Sequence, residues 1–153
     1  MARIVGVHHT SFTVADLERS VAFFRDALGM ELLYLREVRD DYFGNIVGLP
    51  GSAVKAALLR LPGSDHHVEL FQYLDPPGHS YQPRPCDTGS CHLSFLVDDL
   101  PVLHRELQSK SVNFVSQPIL ITAGPNRGGY GVYASDPNGI LIELFQPPQR
   151  GPS

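Results

Sequence analysis

Apolar and polar residues alternate along 4–14 (IVGVHHTSFTV), and β-branched residues are frequent there, so the stretch predicts a strand. The period then changes. Leu17, Val21, Phe24 and Leu28 recur at helical spacing, with Asp16 placed as an N-cap and Glu18 in the first turn. Gly29 sits where that helix ends. Apolar runs follow at 31–38, 53–61 and 67–74, divided by Gly, Pro and Asp turn signals. This is the order β-α-β-β-β. A second series has the same order. A strand at 91–97 leads to a helix opened by Asp99, with Pro101 near its first position and Leu103 and Leu107 on its apolar stripe. Strands are expected at 112–116, 129–135 and 140–146. Asp136-Pro137-Asn138-Gly139 turns the chain between the last two. The predicted fold class is α+β, built from two tandem βαβββ modules. These occupy 4–74 and 91–147, joined by a Pro- and Gly-rich linker at 75–90. The tail, 147–153, is expected to fray.

The two series are also alike residue by residue. His9-Thr10-Ser11-Phe12-Thr13-Val14-Ala15-Asp16-Leu17 matches His92-Leu93-Ser94-Phe95-Leu96-Val97-Asp98-Asp99-Leu100 at six of nine positions. Val68-Glu69-Leu70-Phe71-Gln72 matches Ile142-Glu143-Leu144-Phe145-Gln146 at four of five. Both matches come in the same order. Each half therefore opens on a strand bearing His and closes on a strand bearing Glu.

Those repeated residues carry the candidate chemistry. A carboxylate inside an apolar strand is costly unless it is paired or bound to a cation. Glu69 (HHVELFQY) and Glu143 (ILIELFQ) both stand in such a setting. Glu is a poor packing residue, so its repetition alongside a repeated His points to a shared cation rather than to the core. His9, Glu69, His92 and Glu143 are the expected ligands of one divalent metal. Two imidazoles and two carboxylates suit Zn, Ni, Co, Mn or Fe.

Composition narrows the partners. The net charge is −4 and no basic stretch dominates, so nucleic acid is not expected. No apolar run approaches the ~20 residues of a membrane span. The N-terminus lacks the apolar core and cleavage site of a secretory signal, and a cytoplasmic protein is expected. Cys86 and Cys91 are then expected as free thiols.

The motifs resemble those of the vicinal oxygen chelate superfamily, which includes glyoxalase I, methylmalonyl-CoA epimerase, extradiol dioxygenases and bleomycin-resistance proteins. His9-x4-Val14-x-Asp16-Leu17-x2-Ser20-x2-Phe23-Phe24 is similar to its opening motif. Asp136-Pro137-Asn138-Gly139-x3-Glu143-Leu144 is similar to its closing motif. The likeness spans roughly 4–146. It implies one domain over 1–153 whose two modules form a curled, barrel-like mixed sheet around the metal, and it implies a homodimer. It selects His9 over His8, and the equal spacing of His9 to Asp16 and His92 to Asp99 agrees. It implies a metal-dependent isomerase, epimerase or lyase, in which the metal stabilises charge developing on a small-molecule substrate's oxygens. Glu143 or Glu69 then serves as the catalytic base. An Fe(II) extradiol-type dioxygenase and a non-catalytic antibiotic-binding protein are the alternatives. Bacterial glyoxalase I carries an Arg and an Asn where this chain has Thr13 and Tyr73, which speaks against glutathione. Methylmalonyl-CoA epimerase tends to carry Gln where this chain has Glu69. Asn45, Arg127 and Tyr130, with Tyr42, are candidate substrate contacts in polar or Gly-rich surroundings. Arg127 is the expected partner of an anionic substrate.

Overall fold

The repeated residues outside the metal set explain why each half folds as it does. Asp16 caps the first helix, α1 (Leu17–Ala22), by accepting from the Arg19 N–H at 3.1 Å. Asp99 caps the equivalent helix, α3 (Leu100–Ser109), by accepting from the Val102 N–H at 3.0 Å. The repeated glutamines finish the same task from the closing strands. The Gln72 side-chain oxygen accepts from the Leu17 N–H at 3.0 Å, and that of Gln146 accepts from the Leu100 N–H at 2.7 Å. Each opening helix turn thus has two of its free N–H donors satisfied by side chains. Leu17 and Leu100, the last residues of the repeat, are fully buried, as are Leu70 and Leu144.

The computed structural model describes residues 1–149; the C-terminal part of the tail expected to fray, 150–153, lies outside the described residues. The chain divides into two compact units, Met1–Tyr81 and the remainder from Gln82. In the first, β1 (His9–Thr13), β2 (Glu31–Val38), β3 (Ala53–Arg60) and β4 (His67–Asp75) form one sheet in the order β1-β4-β3-β2. β1 runs parallel to β4, and the other pairs are antiparallel. One face is covered by α1, which packs on β3 and β4. Leu17, Val21 and Phe24 are buried there, and Ala57, Leu59, Val68 and Leu70 are buried on that side of the sheet. A π turn, Phe23–Ala27, extends α1, and Gly29 follows at φ 72°.

The second unit repeats the plan. β5 (Leu93–Leu96), β6 (Asn113–Phe114), β8 (Tyr130–Ser135) and β9 (Leu141–Gln146) lie in the order β5-β9-β8-β6, and β7 (Ile119–Leu120) also pairs with β8. β5 is parallel to β9, as β1 is to β4. Buried Leu100, His104 and Leu107 line α3, and Ile142, Leu144, Val132 and Ala134 are the buried residues of β9 and β8. Asp136 is buried in the turn before β9, where one carboxylate oxygen accepts from the N–H groups of Asn138 (2.9 Å) and Ile140 (2.8 Å). Gly139 takes the φ of 91° that closes this turn.

The α+β class and the mixed sheets are as expected, one sheet in each unit. Three features differ from the sequence expectation. The first strand starts at His9, not at residue 4. β4 begins at His67, opposite His9, so residues 4–8 have no strand to pair with, and Ile4, Val5 and Val7 stay exposed. The strand expected at 112–116 shrinks to Asn113–Phe114, and β7 takes up the neighbouring edge of β8. Between β2 and β3 the chain forms an unforeseen helix, α2 (Asp41–Val47), whose Phe43 is buried.

Candidate metal centre

Parallel pairing of the opening and closing strands places the chemistry. In the first unit Ser11 lies opposite Glu69, and in the second Ser94 lies opposite Glu143. Alternation then puts His9 on the face of Ser11 and His92 on the face of Ser94. Each imidazole sits diagonally across from its carboxylate, in the same register in both units. His9 Nε2 is 3.3 Å from Glu69 Oε2, and His92 Nε2 is 3.4 Å from Glu143 Oε2. Among the described residues no group of three or more His, Cys, Asp or Glu side chains gathers closely enough to hold a metal ion, so the four expected ligands stand as two pairs, one in each unit.

The pair geometry suits a cation. A charge-assisted N–H···O bond is normally about 2.7–2.9 Å long. Two donors that share one metal at about 2.0–2.1 Å stand about 3.0–3.4 Å apart. Both observed separations fall in the second range. Both imidazoles are partly open, and Glu69 and Glu143 are half-buried. The His9 ring is oriented from behind: its Nδ1 lies 2.7 Å from His8 Nδ1, one donating and the other accepting. This contact leaves Nε2 for the Glu69 side, as an outer partner does for a ligating His. His8 in turn stacks on His67 at 5.2 Å between centroids.

Two tyrosines complete the surroundings, and sequence reading missed both. Tyr34 of β2, Leu58 of β3 and Glu69 of β4 form one cross-strand row. The Tyr34 hydroxyl donates to Glu69 Oε1 at 3.3 Å, so Glu69 is engaged on both oxygens. Burial, then the charge of Glu69, raises the Tyr34 pKa above its ordinary value, with Arg36 opposing the shift. In the second unit Tyr133 of β8 lies opposite Glu143. Its hydroxyl is 3.5 Å from His92 Nε2 and its ring meets the His92 ring edge-on at 5.0 Å. Burial, then Glu143, raises its pKa. The two carboxylates thus differ: Tyr34 holds Glu69, whereas Tyr133 turns to the imidazole. Gly131 lies beside Glu143: a Cβ there would be in ordinary contact with Glu143 Oε1, 3.7 Å away.

Asn45 is on the exposed side of α2, across the helix from buried Phe43. Arg127 occupies an exposed turn, its N–H donating to Gly124 O at 3.2 Å. Tyr130 is three residues before Tyr133 on β8 and so faces the other side of the sheet from Glu143. Tyr42 is half-exposed, with its hydroxyl 3.5 Å from Arg36 Nη2. Cys86 and Cys91 are both free and exposed. Among the described residues no helix is long and apolar enough to cross a membrane.

Comparison with known proteins agrees with this architecture. The sequence model of the Glyoxalase/Bleomycin resistance protein/Dioxygenase superfamily matches residues 6–144. The 2-epi-5-epi-valiolone epimerase of an Actinomyces species is 34% identical over 152 residues, covering 97% of this chain and 82% of the relative. The lactoylglutathione lyase GLX1 of Arabidopsis thaliana is 27% identical over 147 residues; the match takes in 95% of this chain but only 44% of the lyase. In fold, a Bacillus cereus glyoxalase family protein superposes with a TM-score of 0.84 at 21% identity, covering 97% of each chain.

Proposed function

Because the chain belongs to the Glyoxalase/Bleomycin resistance protein/Dioxygenase superfamily, we propose that it is a divalent-metal-dependent epimerase acting beside the carbonyl of a small α-hydroxy ketone. The observation that carries this reading is the repeated His–Glu pair, with donor separations of 3.3 and 3.4 Å in identical strand register. The relative with 34% identity is named for epimerising a ketone, which supports the reaction class. Thr13 and Tyr73, in place of the Arg and Asn of bacterial glyoxalase I, direct the reading away from glutathione conjugates.

In this reading His9, Glu69, His92 and Glu143 ligate one divalent cation. Two ligands are too few for such an ion, and each unit supplies two. The cation supplies Lewis acidity to the substrate's neighbouring carbonyl and hydroxyl oxygens, which acidifies the C–H between them. Epimerisation removes a proton from one side of that carbon and delivers one to the other. Glu143 removes the proton: Tyr133, its neighbour, turns to His92 rather than to the carboxylate, whereas the Tyr34 hydroxyl engages Glu69. Glu69 stays in place, its Oε1 held by the Tyr34 hydroxyl while Oε2 stays on the His9 side.

The test is solvent deuterium exchange by the metal-loaded protein, with a panel of α-hydroxy ketones (2-epi-5-epi-valiolone among them), hemithioacetals and acyl-CoA thioesters. Deuterium is expected at one carbon next to the ketone, without oxygen uptake. Oxygen consumption with catechols, or exchange confined to hemithioacetals, contradicts the reading.

A further inference from the structure

The face that carries Glu69 also carries Arg36, which has no acidic partner within ion-pair distance among the described residues. Register places Arg36, Ala56 and Phe71 in one row, next to the row of Tyr34, Leu58 and Glu69. Two residues along a strand separate the rows, about 7 Å. The Arg36 guanidinium lies over the Tyr34 ring, 5.3 Å from its centroid, and its Nη2 is 3.5 Å from the Tyr42 hydroxyl. Of the acids on the same unit, Glu31 pairs with Arg60, Glu37 with Arg39 and Glu18 with Lys55. Arg36 is exposed, so a planar cation and a phenolic hydroxyl are offered together on the surface beside Glu69.

The next row is closed. Val38, Val54 and Tyr73 align there. Phe43 of α2 packs on them, with its ring 5.2 Å from Phe71 and 6.2 Å from Tyr73. On this sheet face α2 also covers Ala56 and Phe71 of the Arg36 row, so the open surface narrows beside Glu69 and Arg36 stands exposed at its β2 edge.

We propose that Arg36, with the Tyr42 hydroxyl, is a subsite for an oxyanion, a carboxylate or phosphate carried by a compact substrate, and that α2 sets the size limit. This rests on the assignment of Glu69 to the reactive centre. A guanidinium presents a planar fork that matches either oxyanion, and its place on an aromatic ring leaves that fork pre-oriented. The subsite separates this chain's substrate from a neutral cyclic ketone: a charged side chain stands one sheet row from Glu69.

Three small α-hydroxy ketones differing in charge test it: dihydroxyacetone (neutral), dihydroxyacetone phosphate and hydroxypyruvate (a carboxylate). Dissociation constants are read by NMR titration of the full chain, metal-free and metal-loaded, for the wild type, Arg36→Gln and Arg36→Lys, with Arg105→Gln on α3 as a control. At least one anionic ligand is expected to bind ten times more tightly than dihydroxyacetone. Arg36→Gln is expected to close that gap, and Arg36→Lys to restore part of it. Which anionic ligand shows the gap distinguishes phosphate from carboxylate. No gap in the wild type, or a gap that survives Arg36→Gln, overturns the proposal. Deuterium exchange on the same ligands reports the reaction separately. An Arg36-dependent gap without exchange on any ketone refutes the epimerase reading and keeps the subsite; exchange without a gap does the reverse.

Discussion

Among single residues, the two tyrosines show what local sequence leaves out. His9 and Glu69 were legible because they repeat, and the family resemblance selected His9 over His8, in agreement with the spacing of the repeat. Tyr34 repeats nowhere, and only the β2-β3-β4 register brings it opposite Glu69. Its hydrogen bond to Glu69 gives a specific expectation. Partners that orient metal ligands typically contribute 10–100-fold to metal affinity. Tyr34→Phe keeps the ring and removes the hydroxyl, so metal affinity is expected to fall about tenfold, measured by competition with a chromogenic chelator. Tyr133→Phe is expected to fall less, because the Tyr133 hydroxyl stands 3.5 Å from His92 and bears on the imidazole rather than the carboxylate. Equal affinity of Tyr34→Phe and wild type would contradict the role assigned to Tyr34.

At the level of elements, what could be read from sequence was what local rules determine. Both helices of the repeat begin at the expected Asp caps, and strands β2, β3, β4, β8 and β9 follow the apolar runs closely. The misses lie where tertiary partners decide. Residues 4–8 have strand composition but no partner strand. The α2 segment DYFGNIV is short and holds a glycine, so it has no strong helical period. It forms because Phe43 finds Phe71 and Tyr73, and because Gly44 lets the chain return closely: a Cβ on Gly44 would stand 2.6 Å from Leu49 O. The turn before β9 shows the opposite case, a sequence signal with full structural content. Asp136→Ala would leave the Asn138 and Ile140 N–H groups without their acceptor in a buried turn. Unsatisfied buried donors cost about 1–3 kcal/mol each, so a loss of about 2–4 kcal/mol is expected in urea unfolding. A loss below about 0.5 kcal/mol would mean the turn does not depend on that carboxylate.

Across the whole molecule, the account rests on duplication. One βαβββ plan, used twice, carries one His–Glu pair per use in one register, and the rest of the repeat consists of caps and core that make the plan fold. The halves have diverged around those pairs: tyrosine engages the carboxylate in one and the imidazole in the other, and only the first bears α2 and Arg36. The duplication and the two His–Glu pairs were legible in the sequence; this divergence was not, because it depends on neighbouring strands. The most direct test of the central claim is metal content per chain, by elemental analysis after loading and desalting. It compares the wild type with His9→Ala/Glu69→Gln, with His92→Ala/Glu143→Gln and with the fourfold variant. If both pairs serve one ion, the wild type holds one equivalent, and each double variant falls below a tenth of that, as low as the fourfold variant. Two equivalents in the wild type, or about half the metal retained when either pair is removed, would show independent sites and contradict the account.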